Sequence, residues 1–459
     1  VLLCSAEKFC SPNKQSQFTD NKMKTTKMVM AVAAIFLPAI FVEGQATNMD
    51  MQMSGSMAGM DMGTHDTTDA ETSMPGMYGG YPMTREASGT AWQPQATPMG
   101  GVMLMRDGWM FMFHGYADGV YDYQGGNRGG TKFFSPNMGM FMAQHSLGPG
   151  TFGFRTMLSL EPTTIGTGGY PELLQTGETA DGKTPLIDRQ HPHDLLMELA
   201  ATYSVPINDD SSVFTYFGYP GEPALGPATF MHRFSGEDIP EAPITHHWLD
   251  STHVTFGVAT LGYTWKQFKV DGSIFTGREP DEYRWNFDPP KFDSYSARLT
   301  YNPSKNWSMQ VSYGNIHSPE QLTPNVNQQR VTASVSYQKH WDGIDWGTTF
   351  AFGENFNNPG NTLFAFLLES TVVFHDQHTF FARAENVQKD ELFLPSDPRD
   401  GEIFDVTKLS AGYIYDFPRW HHLKFGIGGL GGAFILPESL HSTYGSEPLS
   451  FMLFVRVKL

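Results

Sequence analysis

Two groups of residues carry side chains suited to metal chemistry. The first is the run from Asn48 to Asp66, NMDMQMSGSMAGMDMGTHD. Met49, Met51, Met53, Met57, Met60 and Met62 recur at gaps of one to three residues and lead to His65, and Met74, Met77 and Met83 extend the series. A glycine- and serine-rich chain gives these methionines nothing to pack against. Thioethers are soft, uncharged ligands that need no deprotonation, so they suit Cu(I). The plain alternative is a methionine-biased linker with no ligand role. The second group lies in LIDRQHPHD, where Asp188, Arg189, His191, His193 and Asp194 fall within seven residues. His232, His246, His247 and His253 follow. Imidazole with carboxylate suits Cu(II) or Zn(II). His191 and His193, two apart on an extended chain, point the same way. The spacing matches no named metal motif, and the alternative is that these groups hydrogen-bond within and between loops and plug a pore mouth.

The elements that must position them follow a period of two. The 459 residues are 14% aromatic and only 17% charged, with 47 glycines, which fits an all-β chain with one apolar surface. The net charge of -18 disfavours nucleic acid, which selects basic patches, and favours cations. From Trp109 onward, alternation predicts strands near 109–123, 132–146, 151–161, 194–205, 212–219, 252–262, 264–276, 292–301, 306–316, 328–339, 345–354, 362–375, 378–387, 404–417, 422–434 and 448–459. Tyr295, Ala297, Leu299 and Tyr301 illustrate one apolar face. Each segment is long enough for a tilted strand to cross a bilayer. Connections alternate between short ones such as LGPG (147–150) and long ones such as 162–193 and 220–251. The expectation is therefore a closed antiparallel transmembrane β-barrel of about sixteen strands over 102–459, with short turns periplasmic and the histidine-bearing loops extracellular. A soluble β-sandwich is the alternative. The last segment, with Leu449, Phe451, Leu453, Val455, Val457 and Leu459 on one face, reads as the closing strand.

Charges at inward positions (Arg155, Glu161, Glu198, Arg298, Glu369, Arg383, Glu385, Arg456 and Lys458) are expected to line the lumen and brace it by pairing. Met138, Met140 and Met142 share one parity of the second strand, and Met110 and Met112 share one parity of the first. They read mainly as lipid-facing or packing residues, with a methionine ladder into the lumen as the sharper alternative.

The N-terminal part divides by composition. Met23–Ala46 has Lys24 and Lys27, an apolar core and a small-x-small end, which reads as a signal peptide. Residues 1–22 read as an upstream-start artefact and hold both cysteines, Cys4 and Cys10. A mature chain without them has no thiolate ligands. Residues 47–101 read as a disordered, Met/His-rich periplasmic arm. No phosphate loop and no HExxH is present. Ser251 and His253 share a face, but one Ser-x-His pair is thin ground for a hydrolase, and the chain reads as a non-enzyme.

The methionine-rich head, the barrel, and the phrases GWMFMFHG (108–115), LQTGETADGKTPLIDRQHPHDLLMELA (174–200) and TYSVP (202–206) resemble outer-membrane proteins associated with bacterial copper resistance. The layout is similar to the copper resistance protein B family, while DRQHPHD is closer to a poorly characterised sister group. The resemblance implies copper binding or export at the outer membrane, with lipid, metal ion and periplasmic copper proteins as partners. The leading expectation is a copper-handling barrel whose arm captures periplasmic copper. A general or substrate-specific porin with an incidental methionine-rich head comes second, and a membrane-embedded hydrolase third.

Overall fold

The computed structural model describes residues 74–459. Twenty strands follow one another: β1 Val102–Arg106, β2 Trp109–Gln124, β3 Gly130–Phe134, β4 Asn137–Leu147, β5 Gly150–Leu158, β6 Tyr170–Thr179, β7 Pro185–Gln190, β8 Leu196–Asn208, β9 Ser211–Gly218, β10 Val258–Trp265, β11 Phe268–Phe275, β12 Ser294–Ser304, β13 Trp307–Ile316, β14 Asn327–Trp341, β15 Ile344–Asn358, β16 Thr362–Phe374, β17 His378–Lys389, β18 Phe404–Asp416, β19 Lys424–Ile435 and β20 Leu449–Lys458. Eighteen of them form one antiparallel sheet that closes on itself. The short β1 and β3 both lie against β2, which leaves sixteen staves around the barrel. The seam is the β2–β20 pair, Tyr116 opposite Lys458 through Gln124 opposite Ser450. Below Tyr116, β1 takes the place of β20, pairing Val102 with Phe113. Closure leaves no strand edge facing lipid, which a membrane core requires.

Alternation decides which side chains see lipid. On β20, Leu449, Phe451, Leu453 and Val455 are exposed, while Ser450, Met452, Phe454 and Arg456 are buried. Aromatic rings gather at the short-turn ends, as in the stack of Phe268 on Tyr301 (centroids 4.4 Å apart) and the Trp307–Tyr337 pair (4.6 Å). Such girdles sit at membrane interfaces, where a ring meets both water and acyl chain. Short connections at one end alternate with long ones at the other, as expected.

The sequence expectation departs from the structure at the loops. The strand expected from 252 begins at Val258, because residues 219–257, with Pro220, Pro223, Pro227, Pro240 and Pro243, fold into the lumen instead of joining the ladder. The loop expected over 162–193 contains the β6–β7 hairpin, whose β6 residues are all buried. The histidine-bearing connections therefore turn inward and do not stand out from the barrel mouth. Residues 74–101 depart as well. This described part of the expected disordered arm packs inside, with Met77, Tyr78, Met83 and Trp92 buried. Strand hydroxyls and a guanidinium hold its backbone: Ser204 donates to the Met77 carbonyl (2.8 Å), Ser212 to that of Tyr78 (2.6 Å), and Arg155 to that of Gly89 (2.7 Å). Residues 47–73 lie outside the described residues.

Lys183 sits exposed at the tip between β6 and β7, on the long-connection side. A Lys183→Cys variant is expected to react with a membrane-impermeant maleimide on intact cells. Labelling only after the outer membrane is opened would invert the topology.

Candidate functional site

Inward-pointing strand charges anchor the material that fills the lumen. Arg233, from the 219–257 loop, donates Nη1 to Asp250 (2.5 Å) and Nε to Glu369 on β16 (2.8 Å), and Arg383 on β17 holds the other oxygen of Glu369 (3.2 Å). Lys408 on β18 bridges Glu172 of β6 and Glu241 of the loop, both at 2.9 Å. Arg456 joins Asp238 to Asp416, and Glu385 accepts from the backbone and hydroxyl of Thr245. The expected lumen charges thus brace the wall, and several also hold the plug. A sixteen-stranded porin leaves an aqueous channel at this diameter. Here, among the described residues, a cavity of about 230 Å³ lies toward the short-turn end, and further cavities such as the one beside the histidines hold about 30 Å³ or less.

The plug brings most of the sequence-nominated histidines together. His191, His193, Asp194, His246 and His253 line one cavity of about 10 Å³, room for a single small ion or water. His193 places Nδ1 on the Glu161 carboxylate (2.8 Å), and His253 places Nδ1 on the Asp250 carbonyl (2.9 Å). Carbonyl and carboxylate oxygens only accept, so each Nδ1 carries a hydrogen, and Nε2 offers a lone pair wherever the ring is neutral. Those two Nε2 atoms face each other at 3.1 Å. His246 binds the Asp250 carboxylate through Nδ1 at 2.6 Å, with its ring 5.1 Å from that of His253. Oxygen partners on the far ring nitrogen fix the tautomer in metal-bound histidines in the same way.

Burial pushes His246 down to about 4 and holds His191 and His253 well below the ordinary imidazole range, so these rings are neutral. Burial would raise Asp250, but Arg233 and then His246 hold it below the usual carboxylate range. Burial also raises Asp194, which lies 3.4 Å from Arg284. A second set stands beside the first. Donor atoms of His247, Glu279 and Glu320 lie within 4.8 Å of one another, with Glu279 pushed up to about 7 by burial and by Glu320. His191 meets Glu178 through Nε2 at 3.3 Å.

Asp188 and His232 lie apart from this cluster. Asp188 receives Arg128 (3.2 Å) and the Leu174 amide (2.8 Å), and it pins the hairpin. His232 faces Met157, and burial pushes it down to about 3. Met49, Met51, Met53, Met57, Met60, Met62 and His65 lie outside the described residues. The hydrolase pair is not assembled, because the Ser251 hydroxyl accepts from Arg330 while the His253 ring is engaged by Asp250 and His193. Sequence reasoning missed the carboxylates Glu178, Glu279 and Glu320, and it named Glu161 only as a bracing charge of the lumen. It missed Asp250 as well, whose place four residues after His246 was an available signal.

No family model matches the chain. Over 162 residues it is 28% identical to the probable TonB-dependent siderophore receptor PiuA of Acinetobacter baumannii, a stretch covering 34% of this chain and 21% of that receptor's length. Among solved structures, OmpF of Salmonella typhi in complex with daunomycin superposes with a TM-score of 0.48 at 9% identity, covering 78% of this chain and all of that one. The channel DcaP of Acinetobacter baumannii gives 0.44 at 10% identity over 79% of this chain and all of that one. The anion-selective porin of Comamonas acidovorans gives 0.44 at 9% over 76% of this chain and all of that one. By its own closure, lipid face and girdles, this chain is a porin-like transmembrane β-barrel of outer-membrane type. Its lumen is occupied by its own loops and by residues 74–101.

Proposed function

We propose that this barrel handles copper at the outer membrane, with the methionine-rich arm capturing periplasmic Cu(I) and the filled lumen holding or passing on metal. The observation that carries this reading is the His193–His253 pair. Two imidazole nitrogens facing each other at 3.1 Å are held together by one shared proton or by a metal cation, and a metal takes the proton's place where both rings are neutral. Two nitrogens bound tetrahedrally at about 2.0–2.1 Å from a metal sit roughly 3.3 Å apart, close to this separation. The donor set suits Cu(II) or Zn(II). The entry of residues 74–81 beside the β4–β5, β8–β9 and β10–β11 turns supports an arm on the short-turn side, which is periplasmic in this class. A general porin fits the plug poorly. The siderophore in the name of the partial relative belongs to that receptor, of which the match spans a fifth.

Replacing Met49, Met51, Met53, Met57, Met60 and Met62 with leucine in the full chain is expected to remove most Cu(I) binding while barrel assembly continues. Parent Cu(I) affinity for the arm changes little between pH 7 and pH 5, because thioethers do not protonate there. His193→Gln with His253→Gln leaves Cu(I) on the arm and removes one Cu(II) or Zn(II). Metal content after desalting reads both. Undiminished Cu(I) in the leucine variant would make the arm a linker and put the porin reading first.

A further inference from the structure

Away from the histidine cluster, the lumen wall carries sulfur. On β2 and β4, Met112 stands opposite Met142 and His114 opposite Met140, and Met140 in turn stands opposite Met157 of β5. These methionines are buried and face inward, which excludes the lipid-facing reading and leaves packing or a luminal ladder. Ten of the 23 buried residues in the surrounding core cluster are methionine. Leucine or isoleucine would specify such a core better, since methionine is flexible and packs without a defined shape. Two half-buried imidazoles enter this sulfur-rich wall. Nε2 of His114 lies 3.2 Å from Sδ of Met140, and Nε2 of His232 lies 3.4 Å from Sδ of Met157. The two rings stand 5.7 Å apart, centre to centre. A thioether is only a weak hydrogen-bond acceptor, so hydrogen bonding is a poor reason to bury an imidazole against one. The cavity of about 230 Å³ reaches both rings and Met140, and it extends to the short-turn end of the barrel.

We propose that His114, Met140, Met157 and His232 form a luminal site for a soft monovalent cation, Cu(I). The proposal rests on the copper reading above and deepens it. Two imidazoles and two thioethers make a neutral, soft shell, which matches a singly charged soft ion and gives a hard dication no compensating charge. Their cavity faces the side on which residues 74–81 enter, so the site is placed to receive metal from the arm. The histidine cluster, with its carboxylates, is the harder site.

The test uses Ag(I), a redox-inert probe for Cu(I), on the purified full chain in detergent. In the six-methionine arm variant, one Ag(I) is expected to stay bound, with both nitrogen and sulfur neighbours by X-ray absorption. Adding Met140→Leu and Met157→Leu is expected to weaken that ion by more than about tenfold in chelator competition, the scale on which even outer-shell changes act. Met197→Leu, which removes a different buried methionine, leaves it unchanged and shows that methionine loss alone is not the cause. Folded-form migration on unheated gels confirms that each variant closes its barrel. Equal Ag(I) affinity with and without the Met140/Met157 pair would overturn the site. No Ag(I) on the arm variant, with Ag(I) still on the parent, would overturn this site while the arm reading stands. No Ag(I) on the parent would overturn both.

Discussion

Replacing Arg233 with methionine is expected to turn a quiet barrel into a conducting one. Arg233 is a buried cation that holds the 219–257 loop to the wall through Asp250 and Glu369. Glu369 keeps Arg383 after the change, but Asp250 loses the guanidinium that keeps it ionised. Removing one partner of a buried pair costs about 3–5 kcal/mol, because the charge left behind is neither solvated nor paired. The loop can lower that cost by lifting Asp250 into water, and in doing so it clears the lumen. In planar bilayers the parent is expected to show no sustained openings, and Arg233→Met is expected to show stepwise ones. Arg233→Met combined with Asp250→Asn, which removes the orphaned charge, should recover part of the closure. Arg106→Met, at an exposed pair with Asp107, should change neither the openings nor the heat resistance of the folded barrel. A silent Arg233→Met barrel as heat-resistant as the parent would remove the plug anchor from this account. A parent that conducts steadily would restore the porin reading.

The barrel was legible because lipid on one side and a polar lumen on the other impose strict alternation. That pattern survives in sequence even where no residue is diagnostic. Strand ends came within a few residues except at two places: the strand expected over 132–146 is broken at Ser135-Pro136 into β3 and β4, and at Val258 a proline-rich plug segment ends in the short alternating run Ser251–Gly257. The plug itself was not legible. Both faces of β6 are buried, so Tyr170–Thr179 carries no period-two signal, and its polar residues looked like those of a solvated loop. The side on which the methionines face was readable, but the sequence reading offered the lumen only as an alternative. Met110, Met112 and His114 share parity with Asp118, Asp122 and Gln124 of the same strand, and such a polar set marks the lumen side. On β4, Gln144 marks the parity of Met138, Met140 and Met142 in the same way. Methionine gives no such signal alone, because it is at home in either environment. The approach of His193 to His253, sixty residues apart, depends on two loops folding inward together, and no local pattern encodes it.

Glu222→Gln is expected to leave stability unchanged in mild acid and to raise it in mild alkali. Glu222 sits in the plug loop just after β9, where it accepts hydrogen bonds from Ser88 (3.1 Å) and Thr229 (3.2 Å). Burial pushes its carboxyl up from the ordinary 4.5 to about 7, against the opposing pull of Arg298 and the Ser88 hydrogen bond. Between these two values the folded protein holds a proton that the unfolded chain has released. Stability from this group is therefore fully present below pH 4.5 and falls away as pH rises through 7. Two to three units correspond to about 3 kcal/mol, an upper figure for one site. Glutamine keeps the shape and the acceptor oxygen and has no proton to lose. Urea unfolding of the metal-free protein should give near-equal midpoints for parent and variant at pH 4.5, and a clearly higher midpoint for the variant at pH 8.5. The gain has a local readout, because Ser88 belongs to the segment leading back to the methionine-rich arm. At pH 8.5 the parent should be cleaved after Arg85 by added trypsin faster than the variant, since an ionised Glu222 weakens the seat of that segment. Parallel stability curves, with equal cleavage at both pH values, would mean that Glu222 is already ionised in the folded barrel and that residues 74–101 are held without it.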